Sequence, residues 1–582
     1  MSSGSNNALA WWQKTIVYEV YPKSFLDTAG SGTGTLEGVR RRLNYLAGLG
    51  VGAIWLTPVY ASPMKDNGYD VADYRTIDPR FGTMEDMERL IADARARGIR
   101  IVMDLVFNHT SDECPWFKES RAGRTGAKAD WYIWRDPRQD GSAPTNWRSI
   151  FGGPAWTFDK TRGQYYLHTF GSFQPDLNWE NPEVRRALAD VARFWVAKGI
   201  GGFRVDAITY VKKPAFVDGV PDGPDGLADI HAATANTLGI LDFLREFRAA
   251  VREPGGAGGS DVCGDGVNDI FMVGEANGVK AAELGDWVGE GGAFDMLFEF
   301  SHLDVPKGGS DVWPQEYRWT LPQLTKCLVD SQRATAAEGW CPVFFENHDQ
   351  PRSVNQFLLG AAEDAPSTSA SALRAQGAKM LATVLMTLRG TPFLYQGQEL
   401  GLANVAWPSI ECYDDLSSHD QYRRALARGF STQDALRCVH AFSRDNARTP
   451  MPWDASANAG FTTGVPWLPV HEDFATCNVA AQDADEGSVL NWYRRLAALR
   501  ASHEVLVAGD FRALVTDNPQ VFAFERTMGS TRAAVFANFT AEPATYDASL
   551  VCGCTPLLST YGDTVPGTLR PYEAVLYIEN DI

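Results

Sequence analysis

No stretch of the 582 residues reaches the roughly 18 consecutive apolar residues of a membrane-spanning helix. The start, MSSGSNNALAWWQK, has no basic region followed by an apolar run, so no export signal is read there. Positive charge is scarce: Lys+Arg number 53 against 72 Asp+Glu, a net charge of −19 that repels phosphate backbones and anionic lipid surfaces. We therefore expect a soluble, cytoplasmic protein with neither nucleic acid nor membrane as partner. Paired cysteine spacing is missing too. The nine cysteines are an odd number and scattered; only Cys552 and Cys554 lie close, without the CxxC pairs of a structural zinc site, so free thiols in a reducing compartment are expected. Blocks of like charge are absent, and 45% hydrophobic with 21% charged residues excludes wholesale disorder.

What is present is an alternation. Eight short apolar runs, TIVYEVY, AIWLTPVY, IRIVMDLVFNH, GIGGFRVDAI, DIFMVGEA, DMLFEF, PVFFENHD and TPFLYQGQE, are separated by amphipathic helices, which predicts an α/β fold built on a (β/α)₈ barrel. From Thr83, TMED reads as a capping box, followed by Met87, Leu90, Ile91 and Ala94 at helical spacing. Asn181 and Pro182 supply an N-cap and first-turn proline for a second helix, lined by Val184, Ala187, Leu188, Val191 and Trp195. About seventy residues between the third strand and Asn181 are too long for a βα loop and predict a small domain over the barrel's C-terminal face. A second insertion (residues 211–239) follows the fourth strand as a candidate gate, and PGGAGGSDVCGDGVND before the fifth reads as a surface excursion. Short alternating segments near the end, VFAFER, RAAVFANF and AVLYIE, predict an antiparallel β-sandwich. The resulting division is barrel over 1–107 and 181–507, inserted domain over 108–180, and C-terminal domain over 508–582.

Reactive groups of such barrels sit at the C-terminal ends of strands. Here those ends are acidic: Asp104 with Asn108 and His109 on the third, Arg204 and Asp206 on the fourth, Glu275 on the fifth, and Asn347, His348 and Asp349 on the seventh. Each alone is explained as a cap, a solvated group or a satisfied core residue, but together their repulsion demands a compensating role. Paired carboxyls flanking a bond are what glycoside cleavage needs, one at the anomeric carbon and one protonating the departing oxygen. Asp206 and Glu275 fit. Arg204, two residues before Asp206 and on the same face, is expected to hold that carboxylate ionised; Glu275, among negative charges, is expected to have its pKa raised and serve as the acid.

DLVFNH, GFRVDAI, VGEA and FENHDQ, in this order, resemble the four signature segments of the α-amylase superfamily of retaining glycoside hydrolases. QPDLNW (residues 174–179) is similar to a further segment of its oligo-1,6-glucosidase and α-glucosidase branch, and the resemblance continues through NGYDVADY, QGQELG and DNARTPMPWD. It implies a barrel, an inserted domain and a C-terminal sandwich, with Asp206 as nucleophile, Glu275 as general acid/base and Asp349 as the third carboxylate. It further implies that Arg204, His109 and His348 surround the glucose ring, and that Asp66, Tyr69 and Arg448 close the pocket of an exo-acting enzyme. Phe151 and Phe170 are further candidates for lining that pocket, with a plain core role as the alternative. Where many relatives carry a cation-binding loop, DTAGSGTGT has Asp27 followed by Ala29, Ser31 and Thr35, so we expect no metal there and no cofactor for the chemistry. The resemblance also makes Ala207, after the nucleophile, favour α-1,4 over α-1,6 glucosides. The expected partner is thus a small α-glucoside such as maltose. Oligo-1,6-glucosidase, transglucosylase and sucrose isomerase remain open, as does a trehalose-6-phosphate hydrolase with Lys212 and Lys213 as phosphate contacts; an endo-amylase or a non-catalytic amylase-like protein fits the motifs less well.

Overall fold

A computed structural model describes residues 9–579 except 224, 254–269, 290, 308–317, 338 and 361–366. The excursion PGGAGGSDVCGDGVND thus lies outside the described residues, as does the start of the chain up to residue 8. All eight apolar runs become parallel strands: β1 Val17–Val20, β2 Ala53–Leu56, β3 Arg100–Val106, β4 Gly202–Asp206, β5 Phe271–Glu275, β6 Met296–Phe298, β7 Pro342–Val343 and β8 Thr391–Tyr395. Their order, β6-β5-β4-β3-β2-β1-β8-β7, is that of a nearly closed barrel, with the ladder interrupted between β6 and β7 among the described residues. Strands covered on one side by helices and on the other by the barrel interior are buried on both faces, which is why they read as unbroken apolar runs.

The surrounding helices start where their caps are. The Thr83 hydroxyl accepts from the Asp86 N–H at 3.2 Å while Asp86 accepts from the Thr83 N–H at 2.8 Å, and helix Met84–Arg95 buries Met87, Leu90, Ile91 and Ala94. Asn181 caps helix Pro182–Ala197 through the Glu183 N–H at 2.8 Å.

Between β3 and Asn181, strands Trp134–Arg135, Gln164–Leu167 and Trp156–Asp159 form a three-stranded antiparallel sheet. The segment after β4 is joined to this insertion. Ala228–Asp229 pairs in parallel with Trp147–Arg148, and the Arg148 guanidinium reaches Asp225 at 2.7 Å and Asp222.

The C-terminal sheet is antiparallel, with Asp510–Ala513, Val521–Met528, Thr531–Asn538, Ala574–Glu579 and Thr555–Ser559 in spatial order. Its period-two pattern gives it two apolar faces. Phe522, Phe524 and Val535 join the main core on the barrel side, while Ala523, Phe536 and Tyr577 pack with Tyr546, Val551 and Leu569. The second layer of the expected sandwich is thus slight, built around the pair Ala544–Thr545 and Thr568–Leu569. One buried arginine, Arg526, ties this sheet to the barrel, and a second, Arg500, secures the helix ends beside it. Arg526 donates to the carbonyls of Thr387, Leu506, Val507 and Gly509, and Arg500 to those of Met386, Leu506 and Gly390. Those carbonyls lie at or just beyond the C-terminal ends of helices Ser367–Thr387 and Glu504–Ala508, where unsatisfied oxygens carry negative partial charge. Among the described residues the cysteines are unpaired, and no helix is long and apolar enough to cross a membrane.

Candidate active site

Strand β4 delivers Arg204 and Asp206 to the same face, two residues apart. The Arg204 guanidinium, buried under Trp55 and Tyr69, donates through Nη1 to Asp206 at 2.6 Å and to Asp104 at 2.8 Å, and its Nη2 is ion-paired with Glu275 at 2.8 Å. One cation therefore holds the carboxyls that end β3, β4 and β5. At Ala207 the chain turns into the left-handed region (φ 48°), and its N–H donates at 3.0 Å to the same Glu275 oxygen (Oε2) that faces Arg204.

Burial decides the protonation of this cluster. It pushes Glu275 up to about 8, with Arg204 opposing and the Asp206 charge adding to the rise. The expected direction for Glu275 holds, though loss of solvent outweighs neighbouring charge. For Asp206 the expectation fails: Arg204 does pull its pKa down, but burial is larger and raises it to about 7. Of the carboxyls under this guanidinium, Glu275 is raised furthest and so is the one that keeps its proton at neutral pH. Asp349 behaves oppositely. Burial raises it, but the positive groups around it hold it well below the usual carboxylate range. Among these groups Arg448 donates at 2.6 Å and Arg444 lies at 3.4 Å.

The remaining predicted residues connect these two centres. Tyr69 donates to Asp104 at 3.0 Å and lies flat on His348, ring centroids 5.2 Å apart and 5° from parallel. His348 Nε2 is 3.5 Å from Asp349. Arg444 also lies 3.5 Å from Asp66, whose carboxylate accepts from Gln174 at 2.9 Å; burial raises Asp66 to about 6. Gln174 reaches His109 at 3.2 Å, and the His109 ring meets Phe170 at 5.0 Å. Phe170 in turn meets Phe151 at 5.6 Å, and Phe151 carries the Arg444 guanidinium 5.0 Å above its ring. Asp206, Glu275, Asp349, Asp66, Tyr69, His109, Arg204, His348, Arg448, Phe151 and Phe170 are therefore connected in one network at the barrel mouth, which closes into a circuit through Arg444, Asp66, His109 and Phe170.

Arg444 and Gln174 complete that network without having been singled out for it, and Asp104, read only as an acidic strand end, joins it. Arg444 stands four residues before Arg448, one helical turn, which was the available signal. It is held by Asp415 at 2.7 Å, from the long segment after β8 that the sequence reading left undivided within the barrel. Asp27 turns its carboxylate inward, accepting from the N–H groups of Ala29 (2.8 Å) and Gly32 (2.7 Å) and from the Thr462 hydroxyl (2.6 Å).

A family model described as the alpha amylase catalytic domain matches residues 19–509. The chain belongs to the α-amylase family. It is 42% identical to the probable oligo-1,6-glucosidase 3 of Bacillus subtilis, over 98% of this chain and 99% of that one. Its fold is similar to the crystal structure of Bacillus licheniformis trehalose-6-phosphate hydrolase (TM-score 0.87, 35% identity, 98% of this chain and 100% of that one). It is likewise similar to the trehalulose synthase of Pseudomonas mesoacidophila (TM-score 0.86, 35% identity, again 98% and 100%). As an α-amylase family member of α-glucosidase type, the chain is a retaining glycoside hydrolase. The paired lysines considered as phosphate contacts have protein partners in this structure. Lys213 is buried and ion-paired to Asp176 at 2.7 Å with Asn108 at 3.1 Å, and Lys212 pairs with Glu180 at 2.6 Å. Both ammonium groups hold the insertion to the segment after β4.

Proposed function

We propose an exo-acting retaining α-glucosidase that releases glucose from the non-reducing end of short α-glucosides, with α-1,4 links favoured. The observation that carries it is Arg204 holding Asp206 and Glu275 together at the ends of adjacent strands, with burial raising Glu275 furthest. Asp206, as carboxylate, attacks the anomeric carbon while Glu275 gives its proton to the departing oxygen; Glu275 then takes a proton from water, which displaces Asp206. Two inversions leave the product with the configuration of the substrate. Asp349, kept ionised by Arg444 and Arg448, accepts from sugar hydroxyls. Asp66, Arg444, Arg448, Phe151 and Phe170 wall off one side of the carboxyls, which supports a pocket for a chain end. The unpaired cysteines fit a cytoplasmic enzyme.

The small Ala207 side chain beside Asp206 supports the α-1,4 preference, worth about 1–3 kcal/mol at most. A second reading, α-1,6 preference, is favoured by the relatives named oligo-1,6-glucosidases. A panel of maltose, isomaltose, sucrose, trehalose and trehalose 6-phosphate separates these, and faster turnover of isomaltose than maltose would remove the linkage claim. Asp206→Ala should abolish turnover and leave the fold intact; hydrolysis at near wild-type rate by that variant would refute the nucleophile assignment.

A further inference from the structure

Glu19 is the single charged residue of strand β1 and is only 2% exposed. A carboxyl this deep requires a partner. Its Oε1 accepts from the His348 backbone N–H at 3.4 Å and lies 2.6 Å from His348 Nδ1. On the other side of that ring, Nε2 is 2.7 Å from the Tyr69 hydroxyl, itself 3.0 Å from Asp104. Protons can be counted along this chain. The Asp104 oxygen that meets Tyr69 also takes N–H groups from Trp55 (3.2 Å) and Arg204 (3.0 Å), so it offers lone pairs and receives the single Tyr69 proton. His348 Nε2 must then carry a proton and donate to the Tyr69 oxygen. Nδ1 and Glu19, at 2.6 Å, hold one more proton between them, because two bare lone pairs would repel at that distance.

We propose that Glu19 is a positioning residue for the reaction: through one proton shared with Nδ1 it fixes His348 as an Nε2–H donor towards Tyr69 and Asp349. The inference rests on the proposed function for its kinetic part only. Burial raises Glu19 and lowers His348 to about 3, which places the shared proton on the carboxyl. An amide at position 19 can replace that acid by donating its own N–H to Nδ1, and a hydrocarbon of the same bulk cannot.

With p-nitrophenyl α-glucoside, Glu19→Gln is expected within about fivefold of wild-type kcat/KM and Glu19→Leu about 10- to 100-fold below it. In a His348→Ala background, Glu19→Leu should add less than about twofold, because it acts through that ring. Equal losses in the Gln and Leu variants, or full additivity with His348→Ala, would overturn the proposal. Imidazole ¹⁵N–¹H spectra, with the His348 signal assigned by its loss in His348→Ala, read the tautomer without turnover. Nε2 protonated in wild type and Glu19→Gln is the expected result, and an Nδ1–H tautomer with bare Nε2 in wild type overturns the proposal whatever the activity. A wild-type protein that shows the expected tautomer yet hydrolyses no α-glucoside counts against the proposed function alone.

Discussion

Glu275 and Asp349 are buried carboxyls at one barrel mouth, yet their protonation is driven in opposite directions by what faces each. Glu275 shares a single guanidinium with Asp206 and Asp104, so burial prevails; Asp349 has two arginines beside it, and charge prevails. An acid with pKa about 8 predicts a rate that falls as pH rises through that value, because Glu275 then loses the proton it must give. Glu275→Gln should cut kcat/KM by about 10²–10⁴-fold on maltose, less on an aryl glucoside whose leaving group needs no proton, and should lose the alkaline limb. An unaltered alkaline limb in that variant would show that another group supplies the proton.

The same shift has a consequence for stability. A carboxyl whose folded pKa lies above its unfolded value favours the folded state below the unfolded pKa, near 4.5, and that contribution is lost as pH rises towards 8. Glu275→Gln removes the penalty of ionising in place. It should therefore be more stable than wild type at pH 8.5, by on the order of 1–3 kcal/mol, with the difference shrinking towards pH 4.5. Chemical denaturation at the two pH values tests this; a gap that widens towards acid would mean that the acid is held ionised in the fold.

At the scale of elements, helix starts were the most legible features because a cap is local. Thr83 with Asp86, and Asn181 with Pro182, carry their hydrogen bonds within a few residues, so spacing alone locates them. Contacts that cross the chain left weaker traces. Lys213 reads in sequence as one of two adjacent lysines, and nothing near it announces Asp176, whose other partners come from the stem of an insertion. Glu19 is a charge inside a run read as apolar, and its partner lies 329 positions away. Arg526 belongs to the same class, as a buried charged residue on a sheet strand whose meaning appears only when two helix ends are brought to it. Arg526→Met would leave four buried carbonyls without these donors and should lower stability by about 2–4 kcal/mol. Turnover should be retained, since this side chain lies between barrel and C-terminal sheet. Urea unfolding followed beside kcat checks both, and an unchanged midpoint would mean that the carbonyls find other donors.

For the whole molecule, the alternation of apolar runs sufficed to place every barrel strand, because strands buried on both faces leave uninterrupted hydrophobic runs. The mouth was less legible, being built from three excursions that meet only in space. One follows β3, one follows β4 and is clamped to the first by Arg148, and one follows β8 and contributes Asp415, Arg444 and Arg448. That enclosure decides how a long substrate is used. A cleft open at both ends lets a polysaccharide lie across the carboxyls and be cut anywhere, whereas walls on one side admit only a chain end. In the proposed exo reading, Asp66 and Arg444, joined at 3.5 Å and backed by Gln174 and Phe151, form that wall. Starch should therefore lose viscosity slowly while glucose appears from the first minutes, and malto-oligosaccharides should shorten one residue at a time. Rapid thinning of starch with mid-length fragments as early products would mean that the circuit through Arg444 opens to let a chain pass, and the exo assignment would fall with it.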